Sequence, residues 1–140
     1  MEIWKDCFGF ENYYEVSNFG NVRRKKVETN YKDGRVANFK QTILKPSPNR
    51  KGYLRVYLSV NSKKYTKPIH RLVALTFLEN PLNKETVNHK DCNKLNNNLT
   101  NLEWLTNKEN IQHAFKNGVF KERDKTCILN IKHMKQKLTK

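Results

Sequence analysis

Cysteine, glycine, proline and acid are all scarce in this 140-residue sequence, and each scarcity excludes something. Three cysteines, Cys7, Cys92 and Cys127, are odd in number, far apart and form no CxxC pair, so neither a disulfide framework nor zinc-finger spacing is present and three reduced thiols are expected. No apolar run approaches the roughly 20 residues of a membrane-spanning helix, so no membrane partner is expected. The opening Met1-Glu2-Ile3-Trp4-Lys5-Asp6 lacks the basic-then-apolar order of a secretory signal, which places the chain by expectation in the cytoplasm. The length allows one domain or two very small ones, and with hydrophobic residues at 36% of the total any core is modest. Only 13 acidic residues face 28 Lys and Arg, a net charge of +15, and that surplus points to a polyanion.

The first half reads as short strands and turns. Tyr14-Glu15-Val16-Ser17 runs into the turn signal Asn18-Phe19-Gly20-Asn21, and Val22-Arg23-Arg24 follows. Asp33-Gly34 is a hairpin turn pair, and Pro46 and Pro48 should break any ladder. After Gly52 the alternation of Leu54, Val56, Leu58 and Val60 against Tyr53, Arg55, Tyr57 and Ser59 gives the clearest strand. Asn61-Ser62 can turn it back into residues 63–69. The expectation is one small antiparallel sheet with an apolar face and an aromatic-basic face. Leu72, Val73, Thr76 and Phe77 then recur at helical spacing, giving a short helix over His70–Leu78 that can lie on the apolar face and stops at Asn80-Pro81.

The chemistry sits in the next run. Val87-Asn88-His89 reads as a strand, an Asn-rich loop follows, and Leu102–Leu105 reads as a second strand. Thr106 and Glu109 have capping-box spacing, so a helix should run over about Asn107–Asn117 with Gly118 as its stop. Imidazole and carboxamide side chains suit the gripping of a divalent metal and the activation of water. Asn88 and His89 are neighbours on a strand and point to opposite sides unless the strand ends or twists there. Asn110 and His113 share a helix face. A cluster of Asn88, His89, Asn110 and His113 is the resulting expectation. His70 is expected to be structural, bonding near its helix start, and Trp104 to be core. Asn93, Asn96, Asn97 and Asn98 read as loop formers.

This run resembles the HNH nuclease motif, the ββα-metal fold: Asn88-His89-Lys90-Asp91, an Asn-rich loop, then Asn101-Leu102-Glu103-Trp104. Upstream, Trp4-Lys5-Asp6, Phe8-Gly9-Phe10 and Tyr14 to Gly20 resemble the NUMOD-type motif that precedes HNH domains in homing endonucleases, and His70-Arg71-Leu72-Val73-Ala74 is typical of the stretch before the catalytic run. The resemblance covers residues 2–116. It implies an α+β protein in three parts: a NUMOD-type antiparallel-sheet DNA-binding region over 1–69, an HNH module over 70–117, and a basic tail over 118–140 with one candidate helix at 128–138. It implies that His89 is the general base, that Asn101 ties the loop and orients the histidine, and that Asn88 and Asn110 hold Mg²⁺ or Mn²⁺ with oxygen ligands. His113 and His70 are secondary candidates. Two departures stand out: many members carry Asp at the position of Asn88, and Cys92 stands where Gly is usual, so a positive φ there would strain the loop.

Double-stranded DNA is the implied partner. Arg23, Arg24, Lys25, Lys26 and Lys90 are phosphate-contact candidates; Arg55 and Tyr57 on the polar strand face are base-contact candidates. No obligate protein partner is inferred, and a monomer with one centre would nick one strand. Relatives often carry a helix-turn-helix after the catalytic module, and here a second anchor is expected to be missing or incomplete. The rival readings are a catalytically weak or inactive DNA-binding regulator on the same fold, a nonspecific nuclease, and a ribosomal-type RNA binder, which explains the charge but not the 88–110 pattern.

Overall fold

The structure, a computed structural model, describes residues 1–119. The candidate helix at 128–138, Cys127 and His133 lie outside them. Strands Trp4–Asp6 (β1), Tyr14–Ser17 (β2) and Val22–Arg24 (β3) form an antiparallel meander. Val27–Asn30 (β4) and Val36–Phe39 (β5) then make a separate hairpin around Asp33-Gly34, where Gly34 takes a φ of +83°. Thr42–Ile43 (β6) returns to the edge of β3. Ser47–Pro48 (β7), Leu54–Val60 (β8) and Lys63–Pro68 (β9) form a three-stranded sheet. Helix Ile69–Phe77 (α1) leads to the hairpin of Thr86–His89 (β10) and Leu102–Leu105 (β11), and helix Asn107–Lys116 (α2) closes the fold. Among the described residues no helix is long and apolar enough to cross a membrane.

Three expectations need correction. The first half is three small sheets rather than one, because the β4–β5 hairpin pairs only with itself and β7 to β9 form their own ladder. Pro48 does not break pairing: it sits in the two-residue edge strand β7, where a missing N–H faces no partner strand. Helix α1 starts one residue earlier than expected, directly after Pro68, whose fixed φ of −67° suits a helix entry.

One core joins the first sheet, β8, α1 and the β10–β11 hairpin. Cys7, Val16 and Val22 from the first sheet, Val56 and Leu58 from β8, and Val87 and Leu102 from the β10–β11 hairpin converge on Leu72, Val73 and Ala74 of α1, all nearly inaccessible. The amphipathic period that produced α1 thus makes it the hub between the two halves, and truncating Leu72 to Ala would cost roughly 2–5 kcal/mol. A second tie is polar. The Tyr14 hydroxyl, fully buried, accepts from Ser59 N at 2.9 Å and lies 3.1 Å from Ser59 O, joining β2 to β8. The turn between β8 and β9 has Asn61 and Ser62 at φ of 50° and 63°, the left-handed pair that matches the twist of a two-residue hairpin.

Candidate active site

The β10–β11 ladder pairs His89 with Leu102, Asn88 with Glu103 and Val87 with Trp104. Strand alternation therefore turns Val87 and His89 toward the core, and Asn88 with Glu103 to the opposite face. The helix that follows is fixed by its predicted capping box: Thr106 accepts from Glu109 N, and the Glu109 carboxylate accepts from Thr106 N. A Lys84–Glu109 ion pair at 3.0 Å holds the same end to the loop before β10.

His89 is 4% exposed at the end of β10. Its Nε2 lies 3.0 Å from Asn97 Oδ1. An amide oxygen only accepts, so Nε2 carries the proton there and Nδ1 keeps its lone pair. Burial pushes the imidazole pKa below its usual 6.5; the Asn97 bond and the Asp91 charge oppose that shift, and Lys94 reinforces it. The ring is thus neutral at pH 7, the state a general base requires. His70 packs edge-on to His89 at 5.2 Å between centroids, and Tyr53 lies 5.0 Å from His70 and 5.9 Å from His89. Burial, then the neighbouring His89, lowers the His70 pKa to about 4. His70 makes no cap bond, contrary to the sequence expectation: its Nδ1 is buried without a partner, and its contacts are with these rings. Lys94 lies 4.7 Å over the Tyr53 ring, a cation beside the site that sequence reasoning passed over.

Asn101 ties the loop through three hydrogen bonds. Its amide donates to Asp91 Oδ1 (2.8 Å) and to Asn96 O (2.9 Å), and its Oδ1 accepts from Asp91 N. The direct contact with the histidine, however, belongs to Asn97, 4% exposed, which the sequence reading grouped with the loop formers. Asn93, Asn96 and Asn98 are loop formers, each accepting from a backbone N–H two residues on. Cys92 has a φ of +60°, the strained geometry expected of a residue standing at a glycine position. Its Sγ lies 3.8 Å from His113 Nδ1, so the α2 face that carries Asn110 and His113 is turned toward the loop leaving His89.

Asn88 is 8% exposed, and its Nδ2 donates to Glu103 Oε1 at 2.9 Å. A carboxylate can only accept, so the orientation of this amide is set, and Oδ1 is the atom left to face a cation. Among the described residues no cluster of three or more His, Cys, Asp or Glu is placed to hold a metal. The donor set of amide oxygens fits a hard, oxygen-preferring cation that completes its shell with water and phosphate. Three of the four expected cluster residues have neighbours of their own: His89 lies with Asn97 and His70, Asn88 with Glu103, and His113 with Cys92.

The first sheet reaches this site through its turn. Leu99 N donates to Asn18 O at 2.8 Å. Gly20, at φ +86°, packs so closely on Asn97 that a Cβ there would lie 2.8 Å from Asn97 Cβ and 3.0 Å from its carbonyl oxygen. Of the basic run, Arg23 is bound to Glu15 at 2.6 Å and lies over Trp4, Arg24 donates to Tyr14 and lies over Phe39, and Lys25 donates to Glu11 O at 2.6 Å and pairs with Asp6. Lys26 is exposed, Tyr57 is 55% exposed beneath Arg55, and exposed Lys90 reaches Thr100 O.

These two linked units, a small-sheet region and a strand–loop–strand–helix site, match known families in the same order. The NUMOD4 motif matches residues 2–59, and the HNH endonuclease family matches residues 67–112. The DNA endonuclease I-HmuI of Bacillus phage SP01 is 36% identical over 132 residues, covering 94% of this chain and 68% of that protein. The chain belongs to the HNH endonuclease family. An uncharacterized HNH endonuclease of Acanthamoeba polyphaga mimivirus is 45% identical over 118 residues; these are 84% of this chain, which spans under a third (31%) of that relative's length. A solved structure described as DNA binding and cleavage by the HNH homing endonuclease I-HmuI superposes with a TM-score of 0.68 at 36% identity, over 94% of this chain and 68% of the other.

Proposed function

We propose that this chain is a metal-dependent DNA endonuclease of the homing type, acting on double-stranded DNA with His89 as general base. The observation that carries the reading is the buried His89 with its Nε2 3.0 Å from Asn97 Oδ1, in surroundings whose burial lowers the imidazole pKa. That arrangement leaves Nδ1 to take the proton of a water attacking a phosphodiester, and the loop tied by Asn101 holds the imidazole in place. Asn88 Oδ1 and Asn110 would hold Mg²⁺ or Mn²⁺, which supplies charge for the scissile phosphate and the departing oxygen. Lys26, Lys90 and Lys94 offer cations for phosphates near the two units, and the Arg55–Tyr57 face is the candidate for base edges.

Plasmid cleavage in Mg²⁺, Mn²⁺ or EDTA tests the reading. Cleavage in either metal, abolished by EDTA and by Asn88→Ala, is expected. DNA binding without cleavage in any metal would favour the regulator on the same fold.

A further inference from the structure

Both proposed metal ligands are neutral amides, an arrangement that binds a divalent cation weakly unless a negative charge lies close by. The structure assigns that role to Glu103: it is a positioning residue that fixes the Asn88 amide and supplies the charge the amide pair lacks. The inference rests on the reading of Asn88 as a ligand.

Four observations converge. Glu103 stands directly opposite Asn88 in the β10–β11 ladder. Its Oε1 accepts from Asn88 Nδ2 at 2.9 Å, so Oδ1 is directed away from the carboxylate. Asn88 is 8% exposed and Glu103 is half-buried, so water competes poorly for this bond. Among the described residues Glu103 makes no ion pair, although the chain holds 28 Lys and Arg against 13 acids, so its charge is not spent on a neighbouring cation. A carboxylate on the N–H side of an amide also polarises it, making Oδ1 a better donor to a cation. The arrangement explains why Asn is suited to position 88 here: an aspartate would set two carboxylates side by side.

The test uses the full chain, Mn²⁺ alone as the probe, free Mn²⁺ read by electron paramagnetic resonance, and thermal melting without metal. Glu103→Gln keeps an acceptor for Asn88 but removes the charge, and should weaken Mn²⁺ binding about tenfold. Asn88→Asp should melt lower than the parent without metal. Asn88→Asp with Glu103→Gln, which exchanges donor and acceptor and keeps one charge, should restore the melting temperature and retain Mn²⁺ binding. Parent-like Mn²⁺ affinity in Glu103→Gln and Glu103→Ala, or parent-like melting of Asn88→Asp, overturns the inference. Asn88→Ala separates the two readings: if it binds Mn²⁺ as the parent does, Asn88 is not a ligand. Loss there without loss in Glu103→Ala defeats only the role of Glu103.

Discussion

Gly20→Ala should damage catalysis through a residue far away in sequence. The new methyl carbon would lie 2.8 Å from Asn97 Cβ and 3.0 Å from its carbonyl oxygen, about 1 Å inside ordinary carbon contact. The φ of +86° adds a left-handed penalty of roughly 1–2 kcal/mol, and forcing the contact apart adds about 1–3 kcal/mol. Gly9 supplies the control: its φ is +79°, but nothing lies within 4 Å of the place a methyl carbon would take there. Gly9→Ala should therefore lose only the backbone component. In Gly20→Ala the displaced atom belongs to Asn97, whose Oδ1 holds His89 Nε2 at 3.0 Å. A shift of about 1 Å at a reacting group can cost ~100-fold in rate. Urea denaturation should rank parent, Gly9→Ala and Gly20→Ala in falling stability. Single-turnover cleavage at saturating DNA, below the unfolding range, should fall strongly only in Gly20→Ala. Equal stability and equal rates in the two variants would refute the contact as the cause.

Three further outcomes follow from the local geometry. An unfolded histidine takes its proton near pH 6.5, whereas His70 in the fold resists it until about pH 4. The unfolded chain therefore binds that proton first, and stability falls as pH drops through this window by about 3 kcal/mol, less any water access; His70→Phe should flatten that part of a stability–pH curve. Thr106→Ala removes the acceptor for Glu109 N and should cost about 1 kcal/mol in urea denaturation. At Cys92, φ +60°, glycine should prove more stable than alanine by roughly 1 kcal/mol, measured as Cys92→Gly against Cys92→Ala.

What was legible in the sequence is what local chemistry decides. The capping box at Thr106 and Glu109, the turns at Asp33-Gly34 and Asn61-Ser62, and the alternation along β8 all appear where expected, because each depends on residues a few positions apart. The separation of the first half into three sheets was not legible, since alternation shows which residues form strands but not which strands pair. Asn97 was hidden among similar neighbours: nothing local distinguishes it from Asn93, Asn96 or Asn98, and only the folded loop puts its amide on His89. Gly20 was visible as a turn residue, but its packing on Asn97 is a contact between the two halves. Arg23, Arg24 and Lys25 read as a free basic run because their partners, Trp4, Glu15, Tyr14, Asp6 and Glu11 O, come from other strands and turns.

The proposed function stands on His89 acting as a neutral base in DNA hydrolysis. Single-turnover cleavage of a defined duplex by the parent and by His89→Ala, with DNA binding measured alongside, tests it most directly. The expected result is a loss of about 10²–10⁴ in rate with little change in binding, and a parent rate that rises with pH and levels off below pH 6.5, because burial lowers the His89 pKa. Equal cleavage by the two proteins would contradict it.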